Sequence, residues 1–242
     1  MGHSWRGIVG LVKPTYRTGS LEDTIRILPE GIGVIPLYVG VRSGTEGEFT
    51  QALKIAEHRV DELANIGVDL IHIGGAPPPM LLGYDADHKL AERLSQKHGI
   101  PVIMATTGLV KALRTLSIRK ICAITYFKKE LNSKFAKYLT DAGFQVVAME
   151  GMDLPFDFKA VGGIPATEVY SFAKKKFLQT AGADCIYLLG SGWSVLPVIE
   201  KLERDLQTTV LAGEQVTIWD ILKMLKVRDP IKGYGKLLSD YL

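Results

Sequence analysis

Cysteine is scarce in this chain. The two present, Cys122 and Cys185, both sit inside apolar runs. That excludes a disulfide framework and offers no metal-ligand spacing, and it reads as two buried thiols in a reducing compartment. Long apolar stretches are lacking as well: none approaches the roughly 20 residues that cross a bilayer, so no membrane partner is expected. The start, Met1-Gly2-His3-Ser4-Trp5-Arg6, runs straight into an apolar strand, without the basic head, apolar stretch and small-residue cleavage site of a signal peptide. A cytoplasmic location is the expectation. A net charge of +3 is too weak to argue for nucleic acid, and Lys174-Lys175-Lys176 reads as the solvated face of a helix. The five histidines are dispersed, which argues against a metal site. Gly190-Ser191-Gly192 lacks the remainder of a dinucleotide fingerprint or of a nucleophile elbow, and no Walker loop is present.

What the chain does have is an α/β rhythm over 242 residues, enough for one large domain or two compact lobes. Short β-branched runs predict strands at 7–13, 33–41, 68–73, 101–104, 121–125, 145–149, 185–189 and 209–211. Amphipathic stretches predict helices at 48–66, 89–97, 110–116, 130–142, 166–181 and 195–206. Strands separated by single helices imply parallel pairing. A weak repeat refines this: Gly67-Val68-Asp69-Leu70-Ile71-His72-Ile73-Gly74-Gly75 resembles Gly182-Ala183-Asp184-Cys185-Ile186-Tyr187-Leu188-Leu189-Gly190. The expected architecture is two pseudo-symmetric α/β lobes, each a parallel sheet flanked by helices, with an active-site cleft between them. The first spans 1–108 with 213–242 returning to it, and the second spans 109–212. Gly75 and Gly190 should face each other across the cleft, because ligands in such sheets bind beyond the strands' carboxyl ends.

Polar or small residues gather at those predicted ends: Lys13-Pro14-Thr15, Arg42, Gly75-Ala76, Thr106-Thr107, Thr125-Tyr126-Phe127, Gly190-Ser191-Gly192 and Gly213-Glu214-Gln215. Hydroxyls and free N–H groups at helix starts make carboxylate cradles, and Lys13 or Arg42 would add a cation. The competing reading is that these hydroxyls only cap helices. His72 reads as a core or supporting histidine rather than a catalytic one. For Asp85 and Asp87, capping competes with proton handling.

The ordered segments resemble the arylmalonate decarboxylase and maleate cis-trans isomerase branch of the aspartate/glutamate racemase superfamily. They are Ile8–Pro14, Leu28 to Arg42, Gly67–Gly75, Thr106–Leu116, Thr125-Tyr126-Phe127 with Asn132, Asp141–Phe144, and Glu214–Asp220. The resemblance implies two lobes around one site, no metal and no organic cofactor, and a small carboxylate as the partner. It also implies catalytic cysteines in the slots that here hold Gly75 and Gly190: the racemases carry one in each, whereas the decarboxylase-like pattern has glycine in the first and needs cysteine in the second. The first turn, Gly75-Ala76-Pro77-Pro78-Pro79, loses hydroxyls and donors, because proline has no N–H. The expectation is therefore a cofactor-independent lyase or decarboxylase, or an isomerase-like enzyme, on a small carboxylic acid and without a thiol. Tyr126, Lys13 and Asp85 are the candidate proton handlers. Pro14, Thr15, Arg42, Gly75, Ala76, Thr106, Thr107, Asn132, Gly190, Ser191 and Gly192 are the candidate binding residues. The alternatives are hydrolysis of a small amide or cyclic imide, with Asp85 or Glu214 activating water, and a carboxylate-binding protein without catalysis. A homo-oligomer is compatible with the sequence. Two consequences are expected: cysteine restored at Gly190 should confer activity on an arylmalonate, and Thr106→Ala should weaken binding with little loss of fold.

Overall fold

The computed structural model describes residues 2–155 and 157–242, the Phe158 side chain excepted. Its first half runs β1 (Gly7–Lys13), α1 (Ser20–Ile27), β2 (Ile32–Tyr38), α2 (Glu46–Ile66), β3 (Leu70–Ile73), α3 (Pro77–Leu82), α4 (Ala86–His98), β4 (Val102–Met104) and α5 (Ala105–Thr115). The second half runs β5 (Lys120–Thr125), α6 (Lys129–Asp141), β6 (Gln145–Gly151), α7 (Phe158–Gly162), α8 (Ala166–Leu178), β7 (Cys185–Leu189), α9 (Ile199–Leu206), β8 (Thr209–Ala212), α10 (Gly213–Met224) and α11 (Lys236–Asp240).

The strands form two four-stranded parallel sheets, ordered β2-β1-β3-β4 and β6-β5-β7-β8. The same order in both halves accounts for the repeat. Asp69 enters β3 and accepts from the Ile8 N–H at 2.7 Å, while Asp184 enters β7 and accepts from the Arg119 and Lys120 N–H groups. Each aspartate thus fixes the register of its lobe's central pair. Gly67 ends α2 at φ 84°, a left-handed position that favours glycine. Pro36 lies within β2, an edge strand, where its missing N–H breaks no ladder.

The lobes lend each other a helix. α10 follows β8 of the second sheet, yet its Ile221 packs with Val9, Leu11, Leu70 and Ile103 of the first lobe. α5 follows β4 of the first sheet, yet Leu109, Val110 and Leu113 join the cluster built on Ile121, Ile124, Ile186 and Leu188. The end of the chain lies against α9, where the Gly233 and Lys236 N–H groups donate to Glu200 and Glu203. No helix among the described residues is long and apolar enough to cross a membrane.

Candidate active site

A cleft opens where the carboxyl ends of β1, β3, β5 and β7 meet the starts of α3 and α10, with about 80 Å³ accessible to water centres. Its walls are largely apolar: Leu11, Pro14, Val41, Phe49, Ala76, Pro77, Pro78, Phe127, Leu189 and Val216. The first turn of α3 is Pro77-Pro78-Pro79. Proline suits the opening of a helix because its φ is preset and that N–H has no intrahelical acceptor. Here the consequence is a helix start that offers the cleft hydrocarbon rather than donors.

Gly75 and Gly190 occupy equivalent turns, and both line the cleft with positive φ, 83° and 109°. A Cβ on Gly75 would lie 2.5 Å from Pro14 Cγ, and one on Gly190 would lie 2.5 Å from Tyr126 Cε1. Pro14 and Tyr126 each follow the first strand of their own sheet, so the two glycines are closed off in the same way. The expected gain from cysteine at Gly190 is corrected by this geometry, because a side chain there has to displace Tyr126 from a backbone already in a region L-residues avoid.

The charged groups come from both lobes. Lys13 ends β1, and its Nζ lies 3.4 Å from the Ser20 carbonyl and 3.8 Å from Glu214 Oε1. The side chains of this pair are 11% and 13% exposed, so each holds the other's charge in a partly dry place. The Thr24 hydroxyl also hydrogen-bonds Glu214. Arg17, in the loop before α1, reaches across the cleft. Its Nη1 donates to the Tyr126 hydroxyl at 2.8 Å and to the Ser191 carbonyl. Tyr126 in turn donates to the Ser191 carbonyl at 3.1 Å. Burial raises the Tyr126 pKa and the Arg17 charge opposes the rise, so the phenol stays protonated. Below the turns lie His72 and Tyr187, both buried.

Of the residues expected at the site, Lys13, Pro14, Thr15, Gly75, Ala76, Tyr126, Gly190 and Ser191 line the cleft. The others lie elsewhere. Asp85 is exposed at the start of α4, outside the lining. Arg42 is exposed, in a turn whose N–H groups bind the Glu48 carboxylate. Thr106 and Thr107 lie in the first turn of α5, which starts at Ala105 directly on the end of β4, but neither lines the cleft. Thr107 accepts from the Met104 N–H and caps that start. Thr106 donates to the fully buried Asp87 at 2.6 Å, and Asp87 also accepts from Tyr138. Thr106→Ala therefore strikes the fold first. Asn132 pins the turn after β5, accepting from Thr125 and donating to the Phe127 carbonyl. Gly192 leaves room for Arg17, whose Cδ lies 2.7 Å from where a Cβ would stand. Sequence reasoning missed Arg17, Ser20, Thr24 and Thr217. Cys122 and Cys185 are free, buried in strands and outside the lining.

The family model for arylmalonate decarboxylase matches residues 9–238. The chain belongs to the arylmalonate decarboxylase family. A maleate isomerase of Geobacillus stearothermophilus is 28% identical over 192 residues, 78% of this chain and 73% of that protein. Arylmalonate decarboxylase of Bordetella bronchiseptica is 19% identical over 236 residues, 96% of each. Among solved structures, a cysteine-to-serine variant of Nocardia farcinica maleate cis-trans isomerase with a covalently bound succinylcysteine intermediate superposes with a TM-score of 0.87 at 21% identity, covering 96% of this chain and 98% of that one. The two-lobed fold is thus that of the arylmalonate decarboxylase family.

Proposed function

We propose that this chain binds a small carboxylic acid in the cleft and acts on it as a cofactor-independent lyase of the decarboxylase type, without a thiol. The observation that carries this reading is the pair Gly75 and Gly190. They stand at the equivalent turns where the resemblance puts cysteines, and Pro14 and Tyr126 fill the space a side chain would need. A glycine cannot form the succinylcysteine seen in the Nocardia farcinica enzyme, nor can it pass a proton. A two-base racemase and a covalent isomerase are disfavoured together.

Decarboxylation needs less. When CO₂ leaves, the electron pair stays on the adjacent carbon and is shared with a neighbouring carbonyl oxygen. Lys13 and Arg17 offset that charge inside an apolar cleft, where preorganised charges act strongly. The Lys13 ammonium then delivers the proton to carbon and recovers one from water beside Glu214. Tyr126 orients Arg17 through its hydrogen bond, and Asp85 has no part because it lies outside the cleft. Hydrolysis is the second reading, favoured by Glu214, the one carboxylate in the lining among the described residues.

The test is a screen of malonates, maleate, small amides and imides against the protein and two variants. Turnover of a carboxylic acid that survives Cys122→Ala/Cys185→Ala and is lost in Lys13→Met supports the reading. Turnover abolished by loss of either cysteine refutes it.

A further inference from the structure

The floor of the cleft carries two polar side chains that this mechanism leaves idle. His72 is the third residue of β3 and Tyr187 the third of β7, so they are partners in the internal repeat. Strand alternation turns His72 to the same face as Leu70, whose cluster holds Leu11 under the cleft. Both residues are 3% exposed and line the cleft. His72 Nε2 is buried with no hydrogen-bond partner. The Tyr187 hydroxyl has none among the described residues, and burial alone raises its pKa. A buried polar atom without a partner is uncommon, and the one on His72 is a cost that a bound ligand can relieve.

The charges around this floor limit what that ligand is. Among the described residues the lining holds two cations, Lys13 and Arg17, and one carboxylate, Glu214, a net charge of one positive. Lys111 near His72 is paired with Asp220 at 3.2 Å. His72 adds no charge: burial, with Lys13 and Lys111 nearby, pushes its pKa down to about 3. Neutral imidazole and phenol each offer a donor and an acceptor.

We infer that the cleft is built for a monoanion, with one carboxylate against Lys13 and Arg17 and one uncharged ketone, amide or hydroxyl group on His72 and Tyr187. This rests on the carboxylic-acid reading above and narrows it, since a dicarboxylate would bring a second negative charge that the single net positive charge of the described lining does not offset.

Calorimetric titration of the intact protein near neutral pH decides this with matched probes: maleate against maleamate, and phenylmalonate against its monoamide. Each pair differs by one charge at nearly constant shape. The monoamides should bind at least about tenfold more tightly than the dianions. Tyr187→Phe removes only a hydroxyl. It should weaken monoamide binding roughly three- to tenfold and leave the dianions within twofold. His72→Gln should narrow the gap, with circular dichroism confirming the fold. Dianions binding as tightly as the monoamides, or Tyr187→Phe changing neither, overturns this inference and leaves the carboxylic-acid reading standing. If no probe acid binds, that reading falls and this inference with it.

Discussion

Placing a cysteine at Gly190 is the sharpest perturbation of this site. The residue sits at φ 109°, where a side chain costs about 1–3 kcal/mol in backbone strain. Its Cβ would lie 2.5 Å from Tyr126 Cε1, 3.0 Å from Cζ and 3.2 Å from Oη. Tyr126 cannot yield cheaply, because its ring meets Phe127 at 4.3 Å and Trp193 at 5.5 Å and its hydroxyl is held by Arg17 and the Ser191 carbonyl. Pushing it aside forfeits part of that packing and at least one hydrogen bond, a further ~1–3 kcal/mol. Gly190→Cys should therefore destabilise the fold by about 2–6 kcal/mol, which for a chain of this size lowers Tm by roughly 4–24 °C. It should gain no activity on an arylmalonate. Denaturant titration is the assay, with Tyr126→Ala added as the second arm of a double-mutant cycle. Trimming Tyr126 removes the collision, so the double variant should be more stable than the sum of the single losses by about 1–3 kcal/mol. A Gly190→Cys protein as stable as its parent, or strict additivity of the two changes, would refute the claim that Tyr126 fills the place of a side chain.

Three further outcomes are expected. Asp87→Ala should cost at least about 3 kcal/mol in chemical denaturation, because it strands the Thr106 and Tyr138 hydroxyls inside the protein. Neither Cys122 nor Cys185 should react with an aromatic disulfide reagent until the chain unfolds, since burial raises both thiol pKa values and the thiolate is the reactive form. A fast-reacting thiol in native buffer would contradict their burial. His72 has a folded pKa of about 3 against about 6.5 unfolded, so below pH 6.5 the unfolded chain binds a proton that the folded one refuses. Its contribution is complete above pH 6.5 and is lost as pH falls toward 3, reaching about 2 kcal/mol by pH 5; stability curves of the protein and of His72→Gln should converge correspondingly in acid.

Much of the fold was legible because its signals are local. The alternation of strands and helices, and the Gly-x-Asp openings of β3 and β7, follow from short-range patterning and strand-end hydrogen bonding. α1, α3, α7, α10 and α11 were not predicted. The pattern around Pro77-Pro78-Pro79 reads as a turn, although three prolines fit a helix's first turn. The site was legible only where it sits directly on a strand end, as Lys13, Tyr126, Gly75 and Gly190 do. Arg17 lies four residues beyond β1, in a loop whose course depends on Gly192 in the other lobe, and no local pattern announces that. Thr106 was misplaced because the strand-end pattern does not say which way a helix-start hydroxyl points, and this one turns to the buried Asp87 rather than to the cleft.

The exchange of α5 and α10 between lobes has a mechanical consequence. α5 is covalently tied to the first sheet and packs into the cluster of the second, while α10 sets Ile221 in the first lobe's cluster and Val216, Ile218, Trp219 and Leu222 in that of the second. A hinge that spread the cleft would have to drag Ile221 out from among Val9, Leu11 and Leu70, so rigid-body opening competes with unfolding. Ligands must enter by displacement of loops and side chains at the rim, and the gap between Gly75 and Gly190 behaves as a fixed gauge rather than a jaw.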